Sequence, residues 1–290
     1  MIIITGANGV VGHPLVARLR AKDSKCKTVS RGANANIQWN LDHPLDDLTR
    51  SQLLGAESLV HCAPIWLLPR HVDALGQIGV SRMVVFSSTS VISKQASPSL
   101  AEQGLVTQLA EAEAALTASC EQAGIALTIL RPSMIYGYGR DQNIMQIAKL
   151  IQKLSFVPLI SSATGLRQPV HADDLVEAAL AVIQRTDTEG KTYNLAGAET
   201  LSYRKMVERI FLALNAKVRI LSLPLPIYRA CLRLAAWCGF SFDAEMADRM
   251  RQDLNYDYAE ATTDFGYRPQ AFLQHPERDL KPNAGSVGDQ

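Results

Sequence analysis

The chain has 290 residues, 47% of them hydrophobic and 20% charged, with 29 Lys and Arg set against 28 Asp and Glu. That length can bury a substantial core, and a net charge of +1 excludes both a solvated disordered chain and a strongly basic nucleic-acid binder. The expected partner is a small-molecule substrate, with no nucleic acid.

Five cysteines (Cys26, Cys62, Cys120, Cys231 and Cys238) form no CxxC pair. An odd count suits a reducing compartment, so a cytoplasmic location is expected. The histidines at 13, 43, 61, 71, 171 and 275 are far apart in sequence, and no metal site is expected. The opening apolar run breaks at Gly6 with no basic leader before it, too short for a signal peptide or a membrane span. A later apolar stretch, residues 221–240, carries Pro224, Pro226, Arg229 and Arg233. These residues point to an amphipathic helix packed on a neighbour or a dimer partner, not to a transmembrane segment.

Short β-branched runs at residues 2–5, 27–30, 58–62, 83–87 and 127–131 predict strands. Helical stretches separate them: one after Gly12, a short one near 49–54, one over 66–78, and a long one over 100–123 that Gly124 stops. This rhythm of βα units predicts an α/β fold, a Rossmann-type doubly wound parallel sheet. The pattern loosens beyond Arg131: a loop rich in Gly and Tyr, helices at 143–153, after Asp173-Asp174 and at 202–215, and strands at 192–195 and 218–221. The expected organisation is a dinucleotide-binding domain over 1–165, a smaller C-terminal mixed α/β substrate region over 166–274 partly interleaved with it, and a disordered tail over 275–290.

The segment Thr5-Gly6-Ala7-Asn8-Gly9-Val10-Val11-Gly12 joins the first strand to the first helix. Glycines at this spacing allow a tight turn, close approach of a pyrophosphate and pressing of the helix on the strand, while the helix amides face the phosphate charge. The end of the second strand normally reads the adenosine ribose, with an acid for the 2′-hydroxyl of NAD or an arginine for the 2′-phosphate of NADP. Here Ser30 and Arg31 stand there, and no Asp or Glu occurs between Asp23 and Asp42. The expected cofactor is NADP(H) in preference to NAD(H), although Arg31 as a plain loop residue stays open.

Further segments agree with that turn: Asn40-Leu41, His61-Cys62-Ala63-Pro64, the serine-rich Phe86-Ser87-Ser88-Thr89-Ser90-Val91, Arg131-Pro132-Ser133-Met134-Ile135-Tyr136-Gly137, the stretch from Arg167 through His171 to Leu175, and Tyr193 to Gly197. Together they resemble the extended or atypical branch of the short-chain dehydrogenase/reductase superfamily, the NAD-dependent epimerase/dehydratase family, which acts largely on nucleotide sugars. The resemblance covers about Met1 to Gly197. It implies that Asn40 and Leu41, Cys62, Ala63 and Pro64, Ser87, Pro132 and Met134 border the cofactor, and that the long helix at 100–123 is a dimer face.

That family uses a tyrosine phenol as general acid/base, a lysine four residues later that lowers its pKa, and a serine that orients the substrate carbonyl. Aligning Ala110-Glu111-Ala112-Glu113 with the family's pattern puts Leu105 and Leu109 in the Tyr and Lys places. No tyrosine precedes Tyr136, and the helix at 100–123 has no lysine. Ser88 falls at the orienting serine, beside Ser90, or else caps the local turn. Tyr136 and Tyr138 flank Gly137, either as a surrogate phenol or as packing. Arg140, Asn143 and Arg167 are candidates for an anionic substrate such as a pyrophosphate, with a surface role as the other reading. His171 reads as structural. Two functions follow: an NADP(H)-dependent oxidoreductase or epimerase-like enzyme on a carbonyl or nucleotide-sugar substrate, or a non-catalytic NADP(H)-binding sensor or assembly subunit.

Overall fold

Apolar runs linked by helices favour parallel strands covered on both faces. The computed structural model describes residues 1–32, 35–93, 99–161, 163–228, 230 and 249–281. Its strands in chain order are β1 (Ile2–Thr5), β2 (Cys26–Ser30), β3 (Ile37–Gln38), β4 (Ser58–His61), β5 (Arg82–Phe86), β6 (Ala126–Pro132), β7 (Ile135–Tyr136), β8 (Val157–Ile160), β9 (Leu166–Arg167), β10 (Val170–His171), β11 (Thr192–Leu195), β12 (Leu201–Ser202) and β13 (Ile220–Leu223). The helices are α1 (Gly12–Ala21), α2 (Asp47–Leu53), α3 (Val72–Gln77), α4 (Ser90–Ser93), α5 (Leu100–Ala123), α6 (Asn143–Leu154), α7 (Ala172–Val182), α8 (Tyr203–Ala213), α9 (Ala259–Phe265) and α10 (Pro276–Asp279).

Contacts divide the chain into two compact units. The first takes residues 1–133, 171–195 and 256–269, and the second 134–170, 196–255 and the segment from 270 onward. The boundary expected between 165 and 166 falls inside a segment of the second unit, because α7 and β11 return to the sheet of the first.

In the first unit seven strands form one sheet in the order β11-β6-β5-β4-β1-β2-β3, and every pairing is parallel. Right-handed crossovers then put α1 and α3 on opposite faces, since β1 leads outward to β2 and β4 leads the other way to β5. The expected doubly wound sheet is present. Its core gathers Ile3, Leu59, Met83, Val85, Leu116 and Ile129, among others. The α5 helix matches its predicted span because both ends are marked: Ser99 Oγ accepts from the Glu102 amide, and Gly124 adopts φ 66° after the last turn. Arg82, inside the fully buried β5, donates from Nη2 to Thr128 Oγ1 at 2.6 Å, the Val182 carbonyl at 2.9 Å and Thr188 Oγ1 at 3.1 Å, while its buried Nε meets no acceptor among the described residues.

The second unit has its own core, in which α6 and α8 bring together Ile144, Ile147, Ile151, Met206, Val207 and Phe211. Parallel β8 and β13 and antiparallel β9 and β12 make two small ladders in it.

Several elements depart from the sequence expectation. Residues 66–78 do not form one helix: tight turns at Ile65–Leu67 and Pro69–His71 precede α3, as the proline interrupts the ladder. Pro158 hides β8 from a strand reading, yet Pro158 sits in a two-stranded ladder with an open edge. Of the tail expected from His275, Pro276–Asp279 is helical, with Asp279 buried, and residues 282–290 lie outside the described residues. Of the helix expected over 221–240, residues 221–223 belong to strand β13, 225–228 and 230 are helical, and 229 and 231–240 lie outside the described residues. No helix among the described residues is long and apolar enough to cross a membrane.

Candidate dinucleotide-binding site

Strand β1 pairs with β2 on one side and β4 on the other, so the chain order reverses there. Parallel sheets open a ligand crevice at such a point, beyond the carboxyl ends of the strands. The glycine turn leaves β1 at that position. Gly6 has φ +67°, and a Cβ on it would lie 2.6 Å from the Ala63 nitrogen and the Cys62 carbonyl carbon. A Cβ on Gly12 would lie 2.2 Å from the Gly6 carbonyl oxygen. Both positions therefore require glycine. The Gly9 amide donates to the Gly6 carbonyl at 3.0 Å, closing the turn.

Ala7 and Val11 are buried, Val10 is half-buried, and Asn8 and Gly9 are exposed. No side chain caps α1, and its first turn holds no acid. Its amide-rich start is thus suited to an anion. The cradle formed by these glycines and that uncapped start fits the pyrophosphate of a dinucleotide.

Beneath the turn lies a pair that sequence reasoning did not single out. His61, at the end of β4, is fully buried. Its Nε2 lies 3.1 Å from the Pro64 carbonyl, which can only accept, so that nitrogen carries the proton. Nδ1 then accepts from the Thr5 hydroxyl at 2.7 Å. Burial holds the imidazole neutral, with its pKa lowered to about 4. The link ties the loop through Cys62, Ala63 and Pro64 to the strand that carries the glycine turn. Cys62 and Ala63 are half-buried and Pro64 is exposed.

At the end of β2, Ser30 Oγ accepts from the Gly32 amide at 3.3 Å, while Arg31 is exposed. Asn36 folds back on β2, and its side-chain oxygen accepts from the Thr28 amide and hydroxyl at 3.1 and 3.0 Å. Asn40 Oδ1 accepts from the Asp42 amide at 3.2 Å, holding a short turn. Leu41 is buried, and its carbonyl meets His71 Nε2 at 2.8 Å.

Past β5, Ser87 and Ser88 diverge. The Ser87 hydroxyl donates to the Glu113 carboxylate, which also grips Arg131 through Nε at 3.0 Å and through Nη2. Glu113 is buried, so this bidentate pair joins α5 to β6 within the first unit. Sequence reasoning used Glu113 only as an alignment marker. Ser88 Oγ accepts from the Ser90 amide at 3.1 Å and donates to Ser90 Oγ at 3.0 Å. The turn-capping role is therefore present, with the Ser90 hydroxyl at the end of the pair. Leu109 is 5% exposed in the core of the first unit, and Leu105 packs partly buried against the same cluster as Ala63 and Trp66. Pro132 is buried, its carbonyl accepting from the Thr89 amide at 3.1 Å.

The remaining candidates belong to the second unit. Met134 packs partly buried on its core. Tyr136 is 1% exposed, stands edge-on to Phe272 at 5.1 Å, and its hydroxyl accepts from the Leu273 amide at 3.0 Å. The phenol thus packs in the core of the second unit. Arg167 is 2% exposed; its guanidinium donates to the carbonyls of Leu166 at 2.6 Å and Gln252 at 2.7 Å, and to that of Arg249. These carbonyls compensate the burial of its charge within the second unit. Arg140 is half-buried and Asn143 exposed at the start of α6, which buried Asp141 caps through the Ile144 amide at 2.6 Å. In the first unit His171 caps α7, its Nδ1 accepting from the Asp173 amide at 3.0 Å, as the structural reading expected.

Known proteins resemble the chain in sequence and in fold. A UDP-glucose 4-epimerase of Vibrio cholerae is 25% identical over 94% of this chain and 92% of its own length. A 3-diazoavenalumate denitrifying reductase of a Streptomyces species is 28% identical over 64% of this chain and 73% of its own. Among solved structures, MoeE5 in complex with UDP-glucose and NAD superposes with a TM-score of 0.71 at 20% identity, over 96% of this chain and 97% of that one. A UDP-glucuronic acid 4-epimerase of Bacillus cereus, with UDP-glucuronic acid and NAD, gives 0.71 at 16% identity over 97% and 98%. The model of the NAD dependent epimerase/dehydratase family matches residues 32–196. That match begins after the glycine turn, so the turn is an independent observation. The chain belongs to the NAD dependent epimerase/dehydratase family.

Proposed function

We propose that this chain is an NADP(H)-dependent enzyme, an oxidoreductase or epimerase-like catalyst acting on a carbonyl or nucleotide-sugar substrate. The observation that carries the reading is the glycine cradle at the point where strand order reverses, followed by a β2 end with Ser30 and Arg31 and no carboxylate. Arg31 supplies the planar donors that match a phosphate, where an acid would repel it. When bound, the dinucleotide supplies hydride exchange with a substrate carbon. Ser88, by donating to Ser90 Oγ, leaves the Ser90 hydroxyl to donate to a substrate carbonyl. With Leu105 and Leu109 in the places of the family's phenol and ammonium, the proton comes from water or from the substrate itself. The epimerase and reductase among the relatives support both reaction types.

A second reading has its own support. Leu109 lies inside the core, as expected where a cleft no longer performs acid/base work. A stretch of 104 residues is also 30% identical to the Arabidopsis thaliana NADH dehydrogenase 1 alpha subcomplex subunit 9, covering 36% of this chain and 26% of that protein. On that reading the protein is a dinucleotide-binding sensor or assembly subunit.

Absorbance of NADPH, followed with nucleotide 4-keto-sugars and simple carbonyls, separates the two. Oxidation that depends on substrate is expected. Tight binding without oxidation, together with association that depends on the ligand, would favour the sensor. Fluorescence titration tests the cofactor: NADPH should bind about tenfold or more tightly than NADH, and Arg31→Ala should remove most of that difference. Equal affinities that Arg31→Ala leaves unchanged would overturn the NADP(H) preference.

A further inference from the structure

A pocket of about 150 Å³ opens between the glycine turn, α1 and β2, lined by Ala7, Asn8, His13, Arg20, Thr28 and Ala35, among others. That volume is well above the space one water needs, enough for a tetrahedral anion. No carboxylate lines it, and two of its side chains are basic or become so on protonation.

Arg20 is its distinctive member. The neighbouring arginine, Arg18, is taken up by Glu177 at 3.1 Å. Among the described residues the Arg20 guanidinium has no hydrogen-bond or ion-pair partner, although it stands over the pocket. Helix position does not explain this: both arginines occupy the last turn of α1, where either would complement the helix dipole. What separates them is the side each faces.

The pocket also borders the parts of the fold that surround the adenosine ribose. Asn8 belongs to the turn suited to the pyrophosphate, and Thr28 lies on β2, two residues before Ser30. A group carried on the ribose 2′ position and recognised at the β2 end has this pocket beside it. A phosphate there would meet a planar fork of donors from Arg20.

We infer that the pocket between Asn8, α1 and Thr28 is the subsite for the 2′-phosphate of the cofactor, with Arg20 as a specificity-determining residue in addition to Arg31. This rests on the NADP(H) reading, and the experiment separates the two. Dissociation constants are measured by calorimetry for NADPH, NADH, adenosine 2′,5′-bisphosphate, 5′-AMP and inorganic phosphate with the wild type, Arg20→Ala, Arg20→Lys and Arg31→Ala. Arg20 is exposed, so its replacement leaves the core intact.

Arg20→Ala should weaken NADPH and adenosine 2′,5′-bisphosphate about tenfold or more, leave NADH and 5′-AMP within about twofold, and be partly rescued by lysine. If Arg20→Ala changes nothing while Arg31→Ala abolishes the preference, the subsite is wrong and the NADP(H) reading stands. Equal wild-type affinities for NADPH and NADH would overturn both. Parallel losses of NADPH and NADH would place Arg20 on a shared part of the dinucleotide and overturn the subsite. Inorganic phosphate that depends on Arg20, without any effect of Arg20 on NADPH, would make the pocket a free-anion site and overturn it equally.

Discussion

His61 connects the strand bearing the glycine turn to its neighbour only while its ring is neutral, because a protonated Nδ1 could no longer accept from Thr5. Its pKa is lowered to about 4 by burial, against an ordinary value of 6.5. Between those values the unfolded chain binds a proton that the folded chain refuses, so stability falls on acidification and levels off below about pH 4. From about pH 7 to about pH 4.5 this single site should cost about 2 kcal/mol. Urea unfolding of the wild type and of His61→Gln at both pH values isolates it, since other titrating groups, including His71, are common to the two proteins. The wild type should lose about 2 kcal/mol more than the variant. Equal losses would mean that the ring is already hydrated or protonated in the native state. His61 was visible in the sequence only as part of a family-like tetrapeptide; its coupling to Thr5 spans 56 positions and depends on β1 pairing with β4.

At the scale of the element, α5 is where the family resemblance puts the acid/base pair, at Leu105 and Leu109. A helix bordering a catalytic cleft exposes the side chains that work there, whereas one used as scaffold buries them. Leu109 is 5% exposed and Leu105 is half-buried, both on the core of the first unit. Leu109→Ala should therefore cost about 3 kcal/mol in urea unfolding, and Leu105→Ala about 1 kcal/mol. A cost below about 1 kcal/mol for Leu109→Ala, together with a change in ligand affinity, would place Leu109 at an open cleft and not in the core. Local signals made this helix readable from end to end: Ser99 and Gly124 mark its limits, and the absence of Tyr and Lys is plain in the composition of its span. The use of Glu113 was not readable. Its partners Ser87 and Arg131 come from the ends of two different strands, and no periodicity within α5 distinguishes a carboxylate that faces them from one that faces solvent.

For the whole molecule, the strand train from β1 to β6 was legible because apolar runs and helices alternate at regular spacing, but the return of the chain was not. The residues from α7 through β11 and those from 256 to 269 rejoin the first unit after excursions into the second. Composition carries no mark of either crossing. Their contribution is physical: β11 pairs with β6 from Thr192 against Ile129 to Leu195 against Pro132, Val182 and Thr188 supply acceptors to buried Arg82, and Asp264 binds Lys191 at 2.6 Å and the Tyr193 hydroxyl at 2.7 Å. A fragment ending at Ser133 would leave β6 as a bare apolar edge and Arg82 short of partners, which favours association over folding. It should show no cooperative thermal transition by circular dichroism. A fragment ending at Leu195 regains β11 and the acceptors of Arg82 but still lacks Asp264, and should melt cooperatively below the full chain. If the fragment ending at Ser133 melted at the temperature of the full chain, the returning segments would add nothing to the sheet, and the dinucleotide cradle would belong to the N-terminal stretch alone.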